Sequence, residues 1–219
     1  MPTMIKRSCF PVFLFLLAFV LPTQTAKAQF GRVSLTGIVE KLAKAPVFFP
    51  KATHRVKCTK IYLVAEKPLD LSKWEGKTVD LEGRLQLALG VAIKVNKLAR
   101  ARYDLKIRPA LFNKARIGDL MTWRTTAPFL AVVPLTFGAK PSFLPIPRIG
   151  TLQINPLTLY VHSFKVAALG FTLDMIRIPN DKTLIGMEIR NQGSFVDVRN
   201  PKKPVVRLLN VDCFRIGAR

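Results

Sequence analysis

The sequence predicts an all-β chain: a small Greek-key barrel followed by an antiparallel β-sandwich. Three observations carry this expectation. Apolar residues recur with a period of two, as where Val33, Leu35, Gly37 and Val39 alternate with Ser34, Thr36 and Glu40. That period marks strands with one buried and one wet face. Long segments with the 3.6 period of a helix are missing. Beyond residue 119, Pro128, Pro134, Pro141, Pro145, Pro147 and Pro156 punctuate short apolar runs. Prolines at that density exclude a central parallel sheet and favour short antiparallel strands joined by loops.

Residues 1–28 read as a cleaved export signal. Lys6 and Arg7 form a basic start, and Phe10 to Pro22 is an apolar run too short to span a bilayer comfortably. Ala26-Lys27-Ala28 places small residues on either side of a cut before Gln29. The expected mature chain is exported, periplasmic or extracellular, with no transmembrane segment.

Residues 29–107 are expected to form the barrel. After the first strand, apolar parity flips between Val56/Cys58 and Ile61/Leu63 with no turn residue at Thr59-Lys60, which predicts a β-bulge. The stretch "PLDLSKWEG" offers one helical turn, capped by Asp70 or Ser72 and ended by Gly76. Two further alternating strands follow, through Val79, Leu81, Gly83 and Leu85, then Val91, Ile93 and Val95.

This order, with "LTGIVEKL", "KCTKIYLV", "LSKWEGKTVDLEGRL" and "VAIKVNKL", resembles an OB-fold domain. The Gly-Lys entry in "WEGKTVDLEGRL" is similar to the start of a strand common in such barrels. Residues 108–119 break the alternation and read as a linker.

Residues 120–219 are expected to form the sandwich, with strands at Leu152–Ile154, Leu157–Phe164, Phe171–Ile178, Ile185–Arg190, Phe195–Val198, Val205–Leu209 and Val211–Ile216. The text "RIGDLMTW", "RIGTLQINPLTL", "ALGFTLDMIRIPNDKTLIGMEIRNQGSF" and "RLLNVDCFRIG" resembles a β-sandwich domain at the C-terminus of secreted bacterial proteins of undefined activity. The resemblance implies a fold and export, not a reaction. The chain departs from that pattern in its many more basic residues.

Two cysteines remain after the leader, Cys58 and Cys213. In an oxidising compartment they predict one disulfide, the alternative being two buried thiols. Both lie in strand-like text, so both are expected to point toward apolar cores. A bond between them implies that the two halves pack as one rigid unit.

Charge bounds the function. The formal net charge is +22, or +19 without Lys6, Arg7 and Lys27. Residues 29–110 hold 17 basic and 7 acidic residues, and 111–219 hold 15 and 6, so the excess is spread evenly. Such a charge attracts polyanions at long range.

Signals for catalysis are absent. His54 and His162 have no metal-like spacing, Ser163 beside His162 makes no triad, and G-x-S-x-G does not occur. Asp80 and Glu82 share one strand face and read as solvated. Asn180-Asp181 after Pro179 reads as a strand corner, because such side chains bond their own backbone two residues on. Asn191-Gln192-Gly193 reads as a turn, with Gln192 pointing inward to bond loop backbone. No catalytic residue, metal site or cofactor is expected.

One constellation remains: His54, Arg55, Lys57, Lys60, Tyr62, Lys73 and Trp74, cations interleaved with aromatics. OB-type barrels bind polymers with cations for the backbone and aromatics for stacking. The expectation is a non-enzymatic binding module for an anionic polymer or envelope surface, such as an acidic glycan, lipopolysaccharide or nucleic acid. The alternative is a structural or assembly protein docking onto another envelope protein.

Overall fold

The computed structural model describes residues 31–109 and 115–218, so the expected leader at 1–28 lies outside the described residues. Five strands close a barrel: β1 (Arg32–Lys41), β2 (His54–Val56), β3 (Ile61–Ala65), β4 (Thr78–Ala88) and β5 (Gly90–Arg100). Their order is β1-β2-β3-β5-β4, with β4 pairing back onto β1. Only the β3–β5 pair is parallel. The alternating residues point as their period dictates. Val33, Leu35, Val39, Val56, Ile61, Leu63, Val79, Leu81, Ile93 and Val95 form one buried cluster inside the barrel. Closure leaves the small sheet no open edge.

The parity flip after β2 is a chain reversal rather than the expected bulge. β2 and β3 run antiparallel with Arg55 opposite Tyr62, and Lys57 to Lys60 make the turn. Cys58 there takes a positive φ of 64°. The Thr59 hydroxyl donates to the Val56 carbonyl at 2.8 Å and accepts from the Ile61 N–H at 3.1 Å. Cys58 thus takes the left-handed position that glycine or asparagine usually fills, and the threonine hydroxyl bonds the backbone on either side of the turn.

Between β3 and β4 the helical turn is a 3-10 segment, Ser72–Trp74. Asp70 accepts from the Ser72 N–H at 2.9 Å and the Ser72 hydroxyl at 2.6 Å. Gly76 ends it at φ 72°, a left-handed conformation that suits glycine.

The second half begins earlier than the alternation suggested. β6 (Leu105–Pro109) includes residues expected at the end of the barrel, yet it pairs with β7 (Leu120–Thr126). With β12 (Phe171–Arg177) they form a three-stranded sheet in the order β12-β7-β6. A four-stranded sheet, β11-β8-β13-β14, holds β11 (Tyr160–Val166), β8 (Val132–Phe137), β13 (Glu188–Asp197) and β14 (Val205–Arg215). The two sheets share an apolar core: Leu105, Met121 and Trp123 meet Leu135, Ile189 and Phe214. A separate two-stranded sheet pairs β9 (Pro141–Ile146) with β10 (Gly150–Ile154). All strand pairings in this half are antiparallel, and an isolated bridge between Arg116 and Gly217 is parallel.

Several strand limits differ from expectation, for physical reasons. Residues 156–158 and 182–184 are 3-10 turns, so the strands expected from Leu157 and Ile185 start later. Asn191-Gln192-Gly193 is not a turn. It lies inside β13, where pairing with β14 shifts register between Gln192 and Ser194, so turn-like composition here marks a bulge. A Cβ on Gly193 would sit 2.9 Å from Leu105 Cβ, which favours glycine at this close approach. Pro134 sits within β8, between two strands of its sheet. β8 pairs with β13 at Val132↔Val196, and an isolated bridge joins Gly138 to Arg190. The missing proline N–H falls in the interval between these contacts, where the ladder is already open.

Barrel and sheets are stitched into one body. β1 packs against β14 and β10. At this seam the Gln153 amide donates to the Thr36 carbonyl at 2.9 Å, and the Thr151 hydroxyl donates to the Ser34 carbonyl at 2.8 Å. Gln192 is buried and points inward as expected, bonding strand backbone: it accepts from the Gln153 N–H and donates to the carbonyls of Thr151 and Leu209. Cys58 and Cys213 are disulfide-bonded, with Cα atoms 5.8 Å apart. The bond does not join two strands aimed into apolar cores: Cys58 lies in the β2–β3 turn and both cysteines are half-buried at the seam. Beside it, Lys57 pairs with Asp212 at 2.9 Å and the Arg190 guanidinium donates to the Cys58 carbonyl at 3.0 Å.

Candidate functional site

The seven residues singled out in the barrel do not share one open face. Inward positions on β2 are buried, and His54 is one of them at 5 % exposure, not among exposed cations. Its Nε2 donates to Glu75 Oε1 at 3.1 Å, which leaves Nδ1 to accept from the Thr53 hydroxyl at 2.8 Å. Arg55 points outward from β2, and its Nε donates to the Glu40 carboxylate at 2.6 Å across the β1–β2 pair. Lys57 is spent on Asp212 at the seam.

Tyr62 lies on the outer face of β3, but the β1–β2 loop folds over that face. Phe49 and Ala52 of the loop cluster with Ala92, and Tyr62 packs against them, its ring 5.8 Å from that of Phe49. Lys60 is exposed on the β2–β3 turn and makes no ion pair among the described residues.

Lys73 and Trp74 are the two that the fold brings together. The half-buried Trp74 ring packs on the barrel core, and the Lys77 ammonium stands 5.7 Å over it. With Lys67, Asp70 and Asn96 they line a crevice of about 470 Å³. Asn96 also lines a neighbouring crevice of about 590 Å³ with Arg32, Ser34 and Lys97. Two donors on Ser72 hold the Asp70 carboxyl below its ordinary range, its hydroxyl first and its N–H second. Both crevices are open and carry charges of both signs; the Arg32 crevice is mainly polar and the Lys73–Trp74 crevice mainly apolar.

The larger electrostatic fact is where the carboxylates go. All thirteen acidic residues are engaged. Nine sit in ion pairs with a lysine or arginine: Glu40, Glu66, Asp80, Glu82, Asp104, Asp174, Glu188, Asp197 and Asp212. Glu75 accepts a hydrogen bond from His54 Nε2. The other three, Asp70, Asp119 and Asp181, accept from nearby backbone N–H groups. The Thr183 N–H and hydroxyl lower the Asp181 pKa below the usual carboxylate value, which fits the strand-corner role expected for Asn180-Asp181. Arg199 likewise lowers Asp197, with its own pKa raised in return. Twenty lysines and arginines among the described residues make none of these pairs, and every one of them is exposed. Sequence counting gave the excess but not the pairing, which depends on registers such as Glu40 opposite Arg55.

Among the described residues no group of three or more His, Cys, Asp or Glu is placed to hold a metal ion. His162 is exposed on β11, its ring 6.0 Å from that of Phe137 and 6.4 Å from that of Tyr160. No helix among the described residues is long and apolar enough to cross a membrane. Comparison with known proteins finds no matching family model, curated protein or solved structure.

Proposed function

We propose that the protein is an exported, non-enzymatic module that binds an anionic polymer or surface, such as an acidic glycan, lipopolysaccharide or extracellular nucleic acid. The observation that carries this reading is the complete engagement of side-chain carboxylates beside twenty exposed cations that, among the described residues, have no carboxylate partner. Half of these cations, from Arg32 to Arg100, belong to the barrel and its loops, and unneutralised cations attract polyanions by counterion release rather than by shape. The barrel is read as OB-type. In support, its order is β1-β2-β3-β5-β4 with β3 and β5 parallel, and a short 3-10 turn stands between β3 and β4. The Lys73–Trp74 crevice is the place where a cation and an aromatic face the same space. Export is read from the basic and apolar start of the sequence, and the Cys58–Cys213 bond supports it, since such bonds persist in oxidising compartments.

Retention on immobilised heparin and on DNA resin tests this. The protein should bind both at low salt and elute steeply as salt rises. Failure to bind either resin at low salt removes the reading.

A second reading, docking onto another envelope protein, is favoured by the open edges of the two larger sheets. β11 and β12 are edge strands and carry the exposed side chains Tyr160, Phe164, Val166, Leu173 and Met175. Exposed apolar edges of this kind invite pairing with another chain. Capture of one stoichiometric envelope protein, unaffected by nuclease or heparin, would put this reading ahead.

A further inference from the structure

A loop and a hairpin that meet through Phe49 both expose apolar side chains. The β1–β2 loop carries Val47 at 87 % and Phe48 at 53 % exposure. The β4–β5 hairpin carries Leu87 at 71 % and Leu89 at 79 %. Phe49 joins them: it is buried, clusters with Ala92, and lies 3.3 Å from where a Cβ on Gly90 would stand. The loop leaves β1 at the end away from this hairpin, where Ile38 pairs with Thr78 at the start of β4, and crosses the outer face until Phe49 reaches Gly90, the residue after Leu89. Val47 and Phe48 immediately precede Phe49 in that crossing. The hairpin projects because β4 runs four residues past its last partner on β1, Arg32↔Arg84. Leu85 still packs on the barrel core, whereas Leu87, next on the same face, lies beyond it.

The charge around these tips has one sign. No acidic residue occurs from 41 to 65 or from 83 to 103, the two stretches that carry them. Lys44 and Lys51 flank Val47 and Phe48 in the loop. Lys60 precedes Ile61, which pairs with Val91 at the base of the hairpin, and Arg84 lies on β4. All four are exposed and make no ion pair among the described residues. Soluble surfaces seldom gather large aliphatic and aromatic side chains at projecting tips without a partner. Apolar tips within a cationic collar match the layering of an anionic bilayer, with headgroup phosphates at the collar and acyl chains beneath them.

We propose that this loop and hairpin form a membrane-docking tip, which inserts Val47, Phe48, Leu87 and Leu89 into an anionic lipid surface while the collar binds its headgroups. The proposal rests on the reading of an anionic partner and narrows it to a lipid bilayer.

The test is co-sedimentation of the exported protein, its N-terminus checked by mass spectrometry, with two kinds of vesicle. One is phosphatidylcholine alone; the other contains about one third phosphatidylglycerol. Wild type should sediment with the anionic vesicles only. Phe48→Ser with Leu89→Ser leaves the charge unchanged and touches exposed positions. It should weaken vesicle binding by about tenfold or more while heparin retention and melting temperature stay the same. Leu89→Trp should show a blue-shifted emission on anionic vesicles that brominated lipid quenches. Wild type that binds heparin but no vesicle overturns the docking tip and leaves the proposed function standing; binding to neither overturns both. A serine variant that sediments like wild type also overturns the tip, because headgroup attraction alone then explains binding. So does a serine variant that converts a wild-type dimer to a monomer without changing vesicle binding.

Discussion

Reducing the Cys58–Cys213 bond should destabilise the protein by an amount fixed mainly by chain connectivity. The two cysteines are 155 residues apart in sequence, and the chain-entropy relation for a loop of that length gives about 5 kcal/mol at 25 °C. Native contacts near the bond do not depend on it. Lys57 still pairs with Asp212, Arg190 still reaches the Cys58 carbonyl, and Gln153 and Thr151 still bond the backbone of β1. Reduction therefore acts chiefly by freeing the unfolded chain. For a chain of this size about 1 kcal/mol moves the melting temperature by roughly 2–4 °C, so the expected loss is roughly 10–20 °C. The assay is thermal unfolding by circular dichroism, with and without reductant, alongside a Cys58→Ala, Cys213→Ala double variant. A fall below about 3 °C in both, with both thiols shown to be free, would refute the entropic argument. A large fall accompanied by loss of hydrogen-exchange protection in β1 and β14 would refute the claim that the seam stands without the bond.

Gln192→Leu should cost about 3–6 kcal/mol, since it leaves the Gln153 N–H and the Thr151 and Leu209 carbonyls buried without their partner; urea unfolding measures it, and a change under about 1 kcal/mol would contradict the network. Trp74→Ala should cost about 3 kcal/mol, toward the low end for large aromatic truncation, because the ring is half-buried. If that variant keeps its melting temperature but loses polyanion binding, Trp74 is a stacking residue and not a barrel prop. Asp181→Ala should lower the melting temperature at neutral pH and remove one component of acid sensitivity. Its folded pKa is depressed, so its contribution is present above the unfolded value and lost as pH falls through the lower folded one. Melting curves between neutral and strongly acid pH should then converge for the variant and wild type, and a constant gap would contradict the cap.

The barrel was legible in the sequence because each of its long strands alternates cleanly, and Val79, Leu81 and Ile93 point inward as their period requires. The disulfide was legible because only two cysteines, Cys58 and Cys213, follow the expected leader. The β2–β3 turn was not, since it is built on a left-handed cysteine and a threonine hydroxyl in place of glycine. β8 and β9 were hidden by Pro134, Pro141 and Pro145, which proved compatible with an open ladder interval and a two-stranded edge. The candidate site was legible only in part. Nothing local to Tyr62 announces that Phe49 will cover it, and nothing local to His54 announces Glu75. Both depend on where a loop and a strand end meet in space. Exposed apolar tips were equally invisible, because Leu87 and Leu89 continue the alternation of residues that are buried.

The salt dependence of binding to a short, fluorescently labelled DNA duplex tests the central claim most directly. If the unpaired cations neutralise the ligand's phosphates, the logarithm of the binding constant should fall linearly with the logarithm of salt concentration. The slope should be about −4 or steeper, corresponding to four or more phosphates neutralised. A slope flatter than about −1, or no binding at low salt, would contradict the account.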